Sequence, residues 1–76
     1  MRATHSPLAD LTPRERDVLA SMAQGKTNGA IAESLVLTPR AVEKHINAIF
    51  SKLPLDQYPD ADRRVTAVLL FLAEQA

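Results

Sequence analysis

The stretch TNGAIAESLVLTPRAVEKHINAIFSKL, Thr27 to Leu53, decides the fold. Thr27 is placed as a helix N-cap, since its hydroxyl can accept a backbone N–H of the first turn. Ile31, Ala32 and Leu35 then give a short helix a narrow apolar face. Gly29 in that first turn costs roughly 1 kcal/mol relative to Ala, so packing has to hold the helix together. After a break at VLTP, Thr38 and Pro39 again set a cap before a proline and open a longer helix, which runs to Leu53 and ends before Pro54. On a wheel of ~100° per residue, Val42, Ile46, Ile49, Phe50 and Leu53 fall on one side of it. Arg40, Lys44, Asn47 and Ser51 fall on the other, with Glu43 at the edge of the row.

That polar row is about 16 Å long at ~1.5 Å per residue, a length that suits the floor of a DNA major groove. Its chemistry suits the groove as well. Arg and Lys meet guanine edges, Asn pairs with adenine, and Glu accepts from the cytosine amino group. A polar outer face is also what any solvated surface helix carries, so the row alone decides little. The arrangement before it decides more: a short capped helix, a three-residue break and a longer helix is the spacing of a helix-turn-helix. Ala32 and Val42, small and branched, are the residues such a tight crossing requires.

Working outward, LTPRERDVLASMAQG opens with Thr12 as cap, Pro13 at the first helical position and Glu15 three residues after the cap, which together make a capping box. Val18, Leu19, Met22 and Ala23 make this helix's buried stripe, Leu11 packs at its start, and Gly25 stops it. Residues 1–10, MRATHSPLAD, lack any apolar period and read as a leader or linker remnant, which leaves 11–76 as the domain. Beyond Pro54, PLDQYPDAD reads as a loop. A fourth helix is expected from Ala61 or Asp62 to Gln75. On its wheel Val65, Val68, Leu69 and Leu72 form the core stripe, while Ala67, Leu70 and Phe71 fall outside it and imply a second contact. Either Phe71 folds back over helix one and Leu70 is merely exposed, or, the favoured reading, this helix pairs with its copy. No run alternates as a strand does. The fold class is all-α, a four-helix bundle containing a helix-turn-helix.

Seventy-six residues hold one core, and the absence of cysteine removes both disulfides and thiolate metal sites as staples. The longest apolar run, VLLFLA at Val68 to Ala73, is too short to span a membrane, which implies a cytoplasmic protein without membrane partners. Nine Lys plus Arg balance nine Asp plus Glu for a formal net charge of zero. A basic footprint is usual for nucleic-acid binders, so the balance favours a second reading, a protein-interaction module that uses the apolar surface of the fourth helix. No catalytic constellation is present: Ser6, Ser21, Ser34 and Ser51 lack a placed histidine and acid, and no glycine loop cradles phosphate. His45 and His5 are too isolated for a metal site, Tyr58 packs at the bundle rim, and no cofactor is expected.

LTPRERDVLASMAQGKTNGAIAESL followed by RAVEKHINAIFSKL resembles the LuxR-type output domain of NarL/FixJ bacterial response regulators, through the elements LT.RE..VL, G.TN..IA..L and V..H...I..KL. The resemblance covers Leu11 to Leu53 and resumes at Ala67 and Val68. It implies a four-helix domain that binds double-stranded promoter DNA as a homodimer through helix four. It also implies a two-component receiver that controls the domain by phosphorylation, and RNA polymerase as a further partner. Carried over by position, base reading falls on Arg40, Glu43, Lys44 and Asn47, and phosphate contacts on Thr27, Asn28, Thr38 and Lys52. The dimer contact is expected at Ala67, Leu70 and Phe71. The chain departs from the family pattern at Glu43, at Ala30 and at Pro54 with its longer loop.

Overall fold

The computed structural model describes residues 6–75, so His5 and the first half of the expected leader lie outside the described residues. Four helices follow in order: α1 Pro13–Ala23, α2 Asn28–Leu35, α3 Pro39–Lys52 and α4 Arg63–Gln75. No strand occurs among the described residues.

Each of the first three helices starts where its threonine can cap it. Thr12 Oγ1 accepts the Glu15 N–H at 3.1 Å while Glu15 Oε1 accepts the Thr12 N–H at 2.9 Å, so the capping box closes from both sides. Thr27 and Thr38 cap α2 and α3 through the N–H groups of Ala30 and Ala41. Gly25, at φ +81°, takes the left-handed conformation that ends α1, as glycine does without a Cβ penalty. The turn between α2 and α3 uses the same region at Val36, φ 57°, and there the branched side chain is strained. Leu37 N–H then returns to the Ala32 carbonyl at 2.8 Å and tightens the break.

α1 lies at the centre and packs on both α3 and α4, while α2 packs across α3. Val18 and Leu19 of α1, Ile31 of α2 and Val42 and Ile49 of α3 are fully buried, as their wheel positions require. The segment after α3 contains one 3-10 turn, Leu55–Gln57, whose Leu55 closes the bottom of the core, so the expected loop is partly structured.

Two expectations give way. Leu8 is fully buried, and residues 6–10 form a turn rather than a loose leader. A single leucine leaves no periodic trace, yet it joins the buried core. The facing of α4 also differs from its expected one, with Val68 alone of the expected stripe packed against the core. Ala67 and Thr66 are buried and Leu70 and Phe71 pack against the core, whereas Val65, Leu69 and Leu72 stand 55%, 59% and 47% exposed. Ala67 is therefore closed off inside the bundle, and Leu70 and Phe71, half-buried against the core, offer only part of their surface to a second copy. The small pair Thr66–Ala67 lets α4 approach α1 closely, and three polar ties hold it that way round.

The first tie joins α4 to α1 and the leader: Arg16 donates to Glu74 at 3.0 Å and to the Leu8 carbonyl at 3.1 Å, and Ser6 donates to Glu74 as well. At the other end, Arg63 lies over the Phe50 ring of α3, 5.0 Å from its centre. Beside it, Arg64 reaches the start of α2. Asp62 caps the helix by accepting the Val65 N–H at 3.0 Å.

Candidate nucleic-acid interface

α3 owes its orientation to one sharply divided surface. Val42, Ile46 and Ile49 are buried beneath it, and Arg40, Glu43, Lys44 and Asn47 all stand exposed on the outer side. Among the described residues these four make no hydrogen bond or ion pair with another side chain. Their donors and acceptors are thus available to base edges, and the row rises along the helix at the ~1.5 Å per residue expected of it. Ser51, at the far end, spends its hydroxyl on the Ala48 carbonyl at 2.9 Å and adds little to the row. His45 sits at the flank, half-buried.

Thr27 and Thr38 are exposed at the starts of α2 and α3. Each uses its oxygen as a cap acceptor, which leaves the hydroxyl proton free to donate outward. Asn28 is half-buried beside Thr27 with its Oδ1 held by Arg64 at 2.8 Å, so only its amide donors remain. The N-terminal turn of α2 carries no acidic residue, and its unpaired N–H groups suit an anion.

Lys52 is placed otherwise than its position in the sequence implies. Its ammonium lies 2.8 Å from Glu15 Oε1, a carboxylate buried under α1, so it is engaged in the bundle rather than turned toward phosphate. Burial works to raise the Glu15 carboxyl, but the Lys52 hydrogen bond and the Thr12 N–H outweigh it and hold the group below its ordinary value of 4.5. Glu74 is likewise held low, by the hydrogen bonds from Arg16 and Ser6.

Sequence reasoning missed Arg64, Glu74 and Leu8. No periodic signal marks the first two, because a long polar side chain on an inward face looks like an exposed one. No group of His, Cys, Asp or Glu among the described residues is arranged to hold a metal, and no helix among them is long and apolar enough to cross a membrane.

Residues 9–65 match the family described as bacterial regulatory proteins, luxR family, a span that takes in α1, α2, α3 and the start of α4. The chain is 42% identical over 55 residues to the transcriptional regulatory protein LiaR of Bacillus subtilis, covering 72% of the chain and 26% of that protein. It is 37% identical over 73 residues to the nitrate/nitrite response regulator protein NarP of Escherichia coli, covering 96% of the chain and 31% of that protein. Against the transcriptional regulatory protein LnrK of Bacillus subtilis it is 48% identical over 46 residues, 60% of the chain and 21% of that protein. The chain thus spans at most 31% of the length of these three relatives.

Proposed function

The chain belongs to the luxR family of bacterial regulatory proteins, and from that premise we propose that it binds promoter DNA with α3 in the major groove, as the output domain of a response regulator. The observation that carries the reading is the exposed, unpaired row of Arg40, Glu43, Lys44 and Asn47 on the second helix of a helix-turn-helix. Thr27, Asn28 and Thr38 lie at the two helix starts that such a docking brings to the DNA backbone. Control by a phosphorylated receiver is supported by the likeness to NarP, which is named as a response regulator. RNA polymerase is the partner that a promoter-bound regulator of this kind addresses.

Net charge zero does not oppose this reading, because five of the nine acids lie off the row or are paired. Asp56, Asp60 and Asp62 lie in the segment between α3 and α4, Glu15 is neutralised by Lys52, and Glu74 by Arg16. Glu43 is the exception, and it earns its place only where a cytosine amino group meets it.

Two copies pair through the outward face of α4, with Val65, Leu69 and Leu72 in place of the residues first expected. That stripe carries no charge and adjoins a shallow groove lined by Met22, Ala23, Arg64 and Val68, an apolar face of the kind that a two-fold axis can pair with its own copy. The pairing sets two recognition helices on half-sites about 34 Å apart.

Selection from random duplexes followed by titration tests the groove assignment. Lys44→Ala or Asn47→Ala should cost about 1 to 3 kcal/mol on the selected site and relax preference at one base pair of each half-site. Unchanged affinity in both variants would remove α3 from the groove.

A further inference from the structure

α4 sends two adjacent residues in opposite directions. Val65 stands in the exposed apolar stripe, while half-buried Arg64 reaches back across the bundle to the start of α2. Its guanidinium donates to Asn28 Oδ1 at 2.8 Å and to the Lys26 carbonyl at 3.0 Å, so it brackets Thr27, the N-cap between them. Thr27 in turn occupies the N–H groups of Ala30 and Ile31, at 3.2 and 2.9 Å. The N–H groups of Asn28 and Gly29 are the first-turn donors left without a partner in the helix.

A guanidinium has donors and no acceptor, so it can hold only the oxygen end of the Asn28 amide. The Nδ2 donors are then turned away from α4, and the side chain is not free to flip. We propose that Arg64 is a positioning residue for DNA binding: by pinning Asn28 it aims Nδ2, with the unpaired first-turn N–H groups of α2, at one backbone phosphate. It also ties that grip to the helix through which two copies pair, because Arg64 and Val65 move together. The proposal rests on the reading that Thr27 and Asn28 meet the DNA backbone.

The test is a double-mutant cycle on a duplex with a single half-site, read across a salt series. Arg64→Ala and Asn28→Ala should each weaken binding about fivefold, the worth of one hydrogen bond, and the double variant should be no weaker than either. The salt slope should stay unchanged in all three, since Asn28 is neutral and Arg64 acts through it. An Arg64 that met phosphate directly would flatten the slope by about 0.9. A flattened slope, or losses that add in the double variant, overturns the proposal. Should Arg64→Ala fail to fold, Arg64→Lys carries the same cycle: one ammonium cannot span both acceptors, and its smaller loss must likewise vanish in the Asn28→Ala background. If the unaltered protein binds no duplex, the DNA reading itself fails. If binding persists and Asn28→Ala is silent, the DNA reading stands while the Asn28 phosphate contact, and with it the role of Arg64, falls.

Discussion

α3 and α4 are nearly equal in length, 14 and 13 residues, and both carry apolar residues at helical spacing, yet a wheel orients the first and misorients the second. The difference lies in what the opposite face offers. On α3 the residues opposite Val42, Ile46 and Ile49 are Arg40, Lys44 and Asn47, so only one orientation buries apolar surface without burying charge. On α4 both faces are apolar. Val65, Leu69 and Leu72 mark one face and Ala67, Leu70 and Phe71 the other. The wheel stripe alone picks the wrong one, because close packing rewards fit over bulk. Ala67 wins its place by letting α4 approach α1, and Arg64 and Glu74 lock the choice with bonds that a flipped helix would lose.

The largest effect that sharpens this contrast is expected at Leu8. This leucine is fully buried outside any helix, in a segment that Ser6 ties to Glu74 of α4 and the Leu8 carbonyl ties to Arg16 of α1. Leu8→Ala should lower stability by about 2 to 5 kcal/mol in thermal or urea unfolding. A loss near zero would return residues 6–10 to a loose leader.

Next come paired substitutions on the two faces of α4. Ala67→Leu should overpack the contact and cost about 1 to 3 kcal/mol. Leu69→Ser, at a position 59% exposed, should change stability by no more than about 0.5 kcal/mol. The same Leu69→Ser should abolish cooperative binding to a duplex with two half-sites. The opposite order of stability losses would restore the orientation with Leu69 in the core.

A smaller effect separates the row on α3 from the lysine just beyond it. Lys52→Ala should cost about 1 to 2 kcal/mol, toward the low end for a broken ion pair because the lysine is partly exposed, and should leave the salt slope of DNA binding unchanged. The pH dependence fixes the cause. Glu15 is held below its ordinary 4.5 in the fold, so its contribution is complete above that value and is lost as pH falls through the lowered one. Without Lys52 the burial that raises the carboxyl is opposed only by the hydrogen bonds at Thr12. The stability gap between the two proteins should therefore be widest near neutral pH and close as the medium is acidified below about 4.5. A gap independent of pH would assign the loss to packing of the lysine stem.

The four helices, their threonine caps and the face of α3 were legible in the sequence, because local chemistry and apolar period agree there. The Thr12–Glu15 box and the exposed row from Arg40 to Asn47 are of this kind. Features that depend on distant partners were not legible. Lys52 looks free until Glu15 is folded beneath it, Asn28 looks free until Arg64 arrives 36 residues later, and Leu8 looks stray until the core closes around it. The orientation of α4 belongs with these, since partners of its polar residues lie on α1, α2 and the leader.

The contrast between a helix that turns polarity outward and one that turns apolar surface outward is tested most directly by the salt dependence of affinity for a selected duplex. With Arg40 and Lys44 in the groove, affinity should fall linearly in the logarithm of salt concentration. It should also remain tighter than for a scrambled duplex at every concentration, a gap that Asn47→Ala narrows. Binding that holds or strengthens with salt, and does not distinguish the two duplexes, would contradict the assignment of α3 to DNA and leave the apolar face of α4 as the only working surface.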